Sequence, residues 1–140
     1  MEPDGKVALI TGGGRGIGAA SARLFARHGI NVVVNDLDTA LGEAVAREII
    51  SSGGKAIAIG GDVRYEPEVR AIVNHAVQTF GTVDILLNNA GMLRPTRVAE
   101  ISEEEYDLVV DVNMKGCFLC SREVIPLMKK SGGGRIINMS

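Results

Sequence analysis

Short apolar runs alternate with longer stretches in which apolar residues recur every three or four positions. The run Val7-Ala8-Leu9-Ile10 predicts a buried strand that stops at Thr11-Gly12-Gly13-Gly14. Helical spacing then runs over 17–28, and Gly29 follows as a C-terminal stop. Val32-Val33-Val34, β-branched and bounded by Asn31 and Asn35-Asp36, predicts the second strand. The pattern is helical again over 41–50, ending at Gly53-Gly54, and Ala56-Ile57-Ala58-Ile59 is the third strand, closing at Gly60-Gly61-Asp62.

Pro67 suits the first turn of the next helix, Ile72, Val73, Ala76, Val77 and Phe80 mark its buried stripe, and Gly81 ends it. Ile85-Leu86-Leu87 is the fourth strand, followed by the polar turn Asn88-Asn89-Ala90-Gly91. Ser102 with Glu105 predicts a capping box ahead of a helix reaching Val109 and Val110. A further helix is expected over 113–130, and 135–139 forms a fifth strand. Five strands joined by connections too long for hairpins imply right-handed crossovers, a parallel sheet and helices on both faces. One doubly wound α/β domain over 1–140 follows, with no repeat, linker or low-complexity segment.

Composition narrows the function. Hydrophobic residues make up 46% and charged residues 23% of the 140, which excludes disorder. Fifteen basic against seventeen acidic residues give a net charge of −2, so nothing is available to neutralise a phosphate backbone and nucleic-acid binding is not expected. No apolar run approaches the ~18 residues of a membrane span. The opening Met1-Glu2-Pro3-Asp4 lacks the features of a signal peptide, and two cysteines cannot form a disulfide scaffold. A cytoplasmic location is therefore expected. Eighteen glycines against four prolines place tight turns at the joints between apolar segments.

The densest glycine cluster, Thr11 to Gly18, joins the first strand to the first helix. At such a joint glycine permits a tight turn, lets backbone approach a pyrophosphate, or lets helix and strand pack closely. Amides near Ile17 would face the phosphates, aided by the helix dipole. Two registers fit: Gly14-x-Gly16-x-x-Ala19, or the wider spacing Gly12, Gly16, Gly18. Asp36 lies twenty residues after Gly16, where a carboxylate accepts both ribose hydroxyls of adenosine and repels the 2′-phosphate of NADP. Arg15 could instead hold that phosphate. The acid ranks above it, because a carboxylate desolvated against a phosphate is the costlier clash, so NAD is expected ahead of NADP.

Thr11-Gly-x-x-x-Gly-x-Gly18, Asp62-Val63, Asn88-Asn89-Ala90-Gly91 and Asn113, in this order, resemble the short-chain dehydrogenases/reductases, of the type that includes 3-oxoacyl-carrier-protein reductases. The resemblance covers the whole chain. It implies a Rossmann-like sheet of order 3-2-1-4-5 and an oxidoreductase exchanging hydride between a nicotinamide cofactor and an alcohol or ketone. It implies that Asp62 contacts the adenine amino group, that Val63 and Leu37 flank the ring, and that Asn89, Ala90 and Gly91 pass beneath the cofactor. Gly12, Gly14, Arg15, Gly16, Ile17, Gly18 and Asp36 complete the expected binding set. Asn113 would bend its helix and hold a water in a proton relay; otherwise it reads as a helix-capping asparagine.

The family's catalytic Ser and Tyr-x-x-x-Lys have no match here. Tyr65 and Tyr106 are followed four residues on by Val69 and Val110, and Ser140 corresponds to the first of the family's two serines, whereas the second is the catalytic one. The chain is therefore expected to carry the cofactor half of the parent enzyme, truncated before those groups and inactive alone. A non-catalytic dinucleotide-binding module is the alternative. Cys117-Phe-Leu-Cys120 has redox or metal spacing but lies in an apolar helix without a completing ligand, so helix packing is expected and no metal site. Apolar residues on more than one side of the last two helices, such as Val109, Phe118, Leu119, Val124 and Ile125, suggest a homo-oligomer, as the resemblance also implies.

Overall fold

The computed structural model describes residues 3–140; the Met1-Glu2 pair of the opening segment lies outside them. Five parallel strands, β1 (Val7–Thr11), β2 (Asn31–Asp36), β3 (Ala56–Gly60), β4 (Ile85–Asn88) and β5 (Arg135–Asn138), form one sheet in the order β3-β2-β1-β4-β5. The expected order is the observed one.

The continuous apolar runs are explained by burial on both faces. Leu9, Val33 and Leu86 point to one side, where they pack with Ile72, Val73 and Ala76 of α3 (Glu66–Phe80) and Leu119, Val124 and Met128 of α5 (Gly116–Lys130). Ile10, Val32, Val34 and Leu87 point to the other, against Ala19 and Ala22 of α1 (Gly16–Arg27) and Val45 and Ile49 of α2 (Thr39–Ser51). Alternation along each strand thus feeds two cores at once.

The helix ends follow local chemistry. Asp38 caps α2, its carboxylate accepting from the Ala40 and Leu41 amides, so this helix starts two residues before the expected 41. Gly81, at φ +86°, closes α3. The capping box of Ser102 and Glu105 opens α4 (Glu103–Val110).

Between α4 and α5 the structure departs from two separate helices. A π-helical turn over Asp111–Lys115 joins them without a break, and the Gly116 amide reaches the Asp111 carbonyl five residues back. The cause is Asn113, whose Nδ2 donates to the Val109 carbonyl at 2.8 Å and competes with the backbone ladder. The widened turn also brings Gly116 against Val63, where a Cβ would lie 2.7 Å from Val63 Cγ2.

Of the apolar residues expected to serve assembly, Leu119 and Val124 are core residues, whereas Phe118 and Ile125 are exposed. Cys120 is buried, and burial pushes its thiol up to about 12. Among the described residues no group of histidine, cysteine and acidic side chains could hold a metal ion, and no helix is long and apolar enough to cross a membrane.

Candidate functional site

The C-terminal ends of β1 to β4 converge where the strand order reverses, the place at which open α/β sheets present a ligand crevice. A cleft of about 570 Å³ opens there, bordered by Gly12, Arg15, Asp36, Leu37, Asp62, Val63, Asn89, Ala90 and Gly91. Nine of the residues singled out in the sequence thus share one cavity. Gly14, Gly16, Ile17, Gly18 and Asn113 are not among its bordering residues.

The loop before α1 has no room for side chains at several of its glycines. A Cβ on Gly12 would sit 2.9 Å from the Ala90 Cα, and one on Gly18 would collide with the Gly12 carbonyl oxygen. Gly12 and Gly16 adopt φ of +61° and +55°. These three positions match the wider glycine spacing, and Gly14 is needed as well, because a Cβ there would meet Leu41 at 2.7 Å. Backbone therefore forms this wall of the cleft. Arg15 occupies the cap position of α1 without making a side-chain cap, and no acidic residue stands in the first turn. The positive end of the helix dipole is left for an external anion.

Asp36 ends β2 and faces this loop. Its Oδ2 accepts from the Gly14 amide at 2.9 Å and its Oδ1 from the Asp38 amide at 3.0 Å. A carboxylate offers about four acceptor sites, so two remain for a ligand. Arg15, Asp36 and Leu37 also border a shallower recess that runs outward along the start of α2.

On the opposite side, Asn89 is built into the frame. Its Nδ2 donates to the carbonyls of Thr11 and Gly12, at 3.1 and 2.9 Å. The Asn89 and Ala90 amides both donate to the Thr11 hydroxyl. Asn89 therefore shapes the cleft floor by locking β4 to β1. Asn35, fully buried, does the same between β2 and β3 by donating to the Ile59 and Gly61 carbonyls.

Asp62 follows β3, and its carboxylate is held by Arg64. The Arg64 Nη2 lies 2.6 Å from Asp62 Oδ2, and the Arg64 Nε and backbone amide both reach Oδ1 at 3.0 Å. That side-chain hydrogen bond is the main reason the Asp62 carboxyl sits below its ordinary range. Val63 borders the cleft but is largely turned inward, packed in the α3–α5 core. Asn113 gives Nδ2 to the Val109 and Met92 carbonyls, and its Oδ1 accepts from the Met92 amide. It fixes the loop after Gly91, and a water at this residue would have to donate to an oxygen.

Sequence reasoning missed Asn35, Gly61, Arg64, Met92, Leu108 and Val112 as bordering residues. Arg64, two positions after Asp62, carried no signal that told a fork on the carboxylate from a solvated side chain. Leu108 of α4 and Val112 of the π turn border the cleft from the far side of the chain.

Comparison with known proteins agrees with this geometry. The family model described as short chain dehydrogenase matches residues 6–140. An uncharacterized oxidoreductase of Thermotoga maritima is 46% identical over 140 residues, covering 100% of this chain and 55% of that protein. A 3-oxoacyl-[acyl-carrier-protein] reductase of Synechocystis is 41% identical across 96% of this chain and 55% of its own length. The oxidoreductase UcpA of Salmonella typhimurium is 43% identical across 97% of this chain and 51% of its own. The chain spans about half the length of these curated relatives. With its glycine loop, sheet order and cleft in agreement, it belongs to the short chain dehydrogenase family.

Proposed function

We propose that this chain is the dinucleotide-binding half of an oxidoreductase that moves hydride between a nicotinamide cofactor and an alcohol or ketone. One observation carries the reading: the glycine loop, Asp36, Asp62 and the Asn89-Ala90-Gly91 segment all meet at one cleft at the carboxyl ends of the strands.

The residues present fit such a cofactor. Gly12 and Arg15 of the loop border the cleft, and the start of α1, free of acidic residues in its first turn, offers amides to a pyrophosphate. Asp36 has acceptor capacity for the adenosine ribose diol, which favours NAD over NADP, while Leu37 and Val63 supply apolar surface for the ring. Asp62 accepts from the adenine amino group. When bound, the nicotinamide supplies the hydride acceptor or donor. Asn113 holds Met92 beside that end of the cleft and orients a water there.

The exposed side chains of Tyr106, Met114, Phe118 and Ile125 on the outer surface of α4, the π turn and α5 favour self-association of the protein. The direct test is fluorescence titration with NADH and NADPH. Saturable NADH binding, weaker with NADPH, is the expected result. Failure to bind either reduced cofactor would overturn the reading.

A further inference from the structure

Arg64 covers one wall of the cleft. Its backbone amide and Nε each donate to Asp62 Oδ1 at 3.0 Å, while Nε and Nη2 donate to Oδ2 at 2.9 and 2.6 Å. Each carboxylate oxygen thus has two donors, which fills the roughly four acceptor sites of the group. Both residues border the cleft, with side chains 11% (Asp62) and 25% (Arg64) exposed. Nothing that enters the cleft can hydrogen-bond to the Asp62 carboxylate while this arrangement stands.

The four bonds divide into an anchor and a cover. Backbone supplies the anchor: the Arg64 amide holds Asp62 Oδ1, and the Asp62 amide is itself fixed by donating to Glu68 at 2.7 Å. The other three bonds come from the guanidinium, which sits on the longer and more exposed side chain of the two. That guanidinium has other partners within reach. It lies 5.2 Å from the centroid of the half-exposed Tyr65 ring, a face that holds a cation without a carboxylate. The hydrogen bond to Asp62 is the main cause that holds Arg64 above the usual arginine range, and the charge of Asp111 adds to it. Asp111 opens the π turn, next to Val112 of the cleft, and pairs with Lys115 at 3.5 Å.

We propose that Arg64 is a displaceable gate on the cleft: its guanidinium stands in the acceptor positions of Asp62, and an adenine nucleotide enters by driving it off toward Tyr65 and Asp111. The proposal rests on the dinucleotide reading above. It adds that this wall is closed until the pair opens, so that Arg64 holds nucleotide affinity down. Removing the guanidinium frees three acceptor positions and leaves the backbone anchor, which opens the site without dismantling it. A purely structural Arg64 has the opposite consequence, because a carboxylate left loose would bind more weakly. The pair is partly exposed, so breaking it costs less than breaking a buried one, and the gate lowers affinity without forbidding entry. Lysine, a point charge with rotatable donors, covers fewer of these positions than a planar fork and should gate less.

The test titrates ADP into the intact protein by isothermal titration calorimetry and follows the arginine Nε–H groups by NMR. Arg64→Ala is expected to bind ADP about tenfold more tightly than the unaltered protein, with Arg64→Lys between the two. In the unaltered protein the Arg64 Nε–H, identified by its absence from the variants, is expected to exchange slowly with water and to lose that protection at saturating ADP. Equal or weaker ADP binding by Arg64→Ala overturns the gate, as does an Nε–H that stays protected with ADP bound. If Arg64→Ala does not fold, Arg64→Lys and the NMR of the unaltered protein decide. Tighter binding by the lysine variant together with loss of protection then supports the gate, and failure of either overturns it. These outcomes leave nucleotide binding itself intact. An absence of ADP binding by the unaltered protein and the variants alike would overturn the dinucleotide reading, and the gate with it.

Discussion

The Asp36 carboxylate and the Gly14 amide are joined by a 2.9 Å hydrogen bond, and the same oxygen would lie 2.8 Å from any Cβ at position 14. The acid that ends β2 and the glycine loop after β1 are thus one unit. Asp36 shapes the loop as well as bordering the cleft.

This dual role decides how cofactor preference should be tested. Asp36→Ala removes the diol acceptor but also frees the Gly14 amide, so it should weaken both cofactors. Asp36→Asn retains an acceptor oxygen and removes the charge that opposes a 2′-phosphate. NADPH affinity is expected to rise relative to NADH by about tenfold, an energy change of about 1.4 kcal/mol. Parallel fluorescence titrations measure it, and an unchanged ratio would shift the discrimination to Arg15.

Asn89→Ala should cost both stability and binding. It removes two donors that join Thr11 and Gly12 to the β4 end, leaving their carbonyls without that partner. A loss of about 1–3 kcal/mol is expected from urea unfolding, together with weaker NADH binding. Normal cofactor affinity in this variant would mean that the floor of the cleft does not need the lock.

Gly18→Ala places a methyl group against the Gly12 carbonyl oxygen at the closest approach of helix and loop. Gly16→Ala meets no atom within 4 Å, so its cost comes only from the positive φ. Thermal unfolding should rank Gly18→Ala as the more damaging of the two. The reverse order would contradict the close packing described here.

Asp84 is buried, accepts from the Val7 amide at 2.9 Å and pairs with Lys6 at 3.5 Å. Asp84→Ala strands a buried strand amide and is expected to lower stability by about 1–3 kcal/mol. Lys6→Ala, on the more exposed partner, should cost less than about 1 kcal/mol. Denaturant midpoints check both values.

Thiol labelling distinguishes the two cysteines. Burial raises both thiols, Cys120 to about 12, so its thiolate fraction at pH 8 is negligible in the folded state. Mass spectrometry after iodoacetamide treatment should show Cys120 unmodified until denaturant is added, with Cys117 reacting slowly. Rapid modification of Cys120 in the native protein would show that α5 opens readily.

The parts of the fold that depend on periodicity were readable in the residues. Val32-Val33-Val34 is apolar because both sheet faces are covered, and the glycines at 29 and 81 end helices as expected. The π turn was not readable, since no period marks it and it arises from one amide, that of Asn113, reaching the Val109 carbonyl. The roles within the cleft were half readable. Spacing identified Asp62, but not that Arg64 would close on it, because a basic residue two positions on is as compatible with solvent as with a fork. Asn89 was expected at the cleft, which it borders, but the spacing did not show that its amide would lock Thr11 and Gly12.

The Thr11–Asn89 lock also constrains how the molecule assembles itself during folding. Its two halves are 78 positions apart, because β1 pairs with β4 only after the chain has wound out through β2 and β3 and returned. Closing so long a loop is slow, and parallel pairing rewards it late. A chain with only β1, β2 and β3 in place would have its glycine loop but no floor beneath it. Ligand affinity then becomes a clock for the last central pairing event: nucleotide added during refolding should be captured in the phase in which β4 docks, and not before. Whatever binds there also holds the two sides of the sheet together, adding its binding free energy to the stability of the one pairing that local sequence does least to promote.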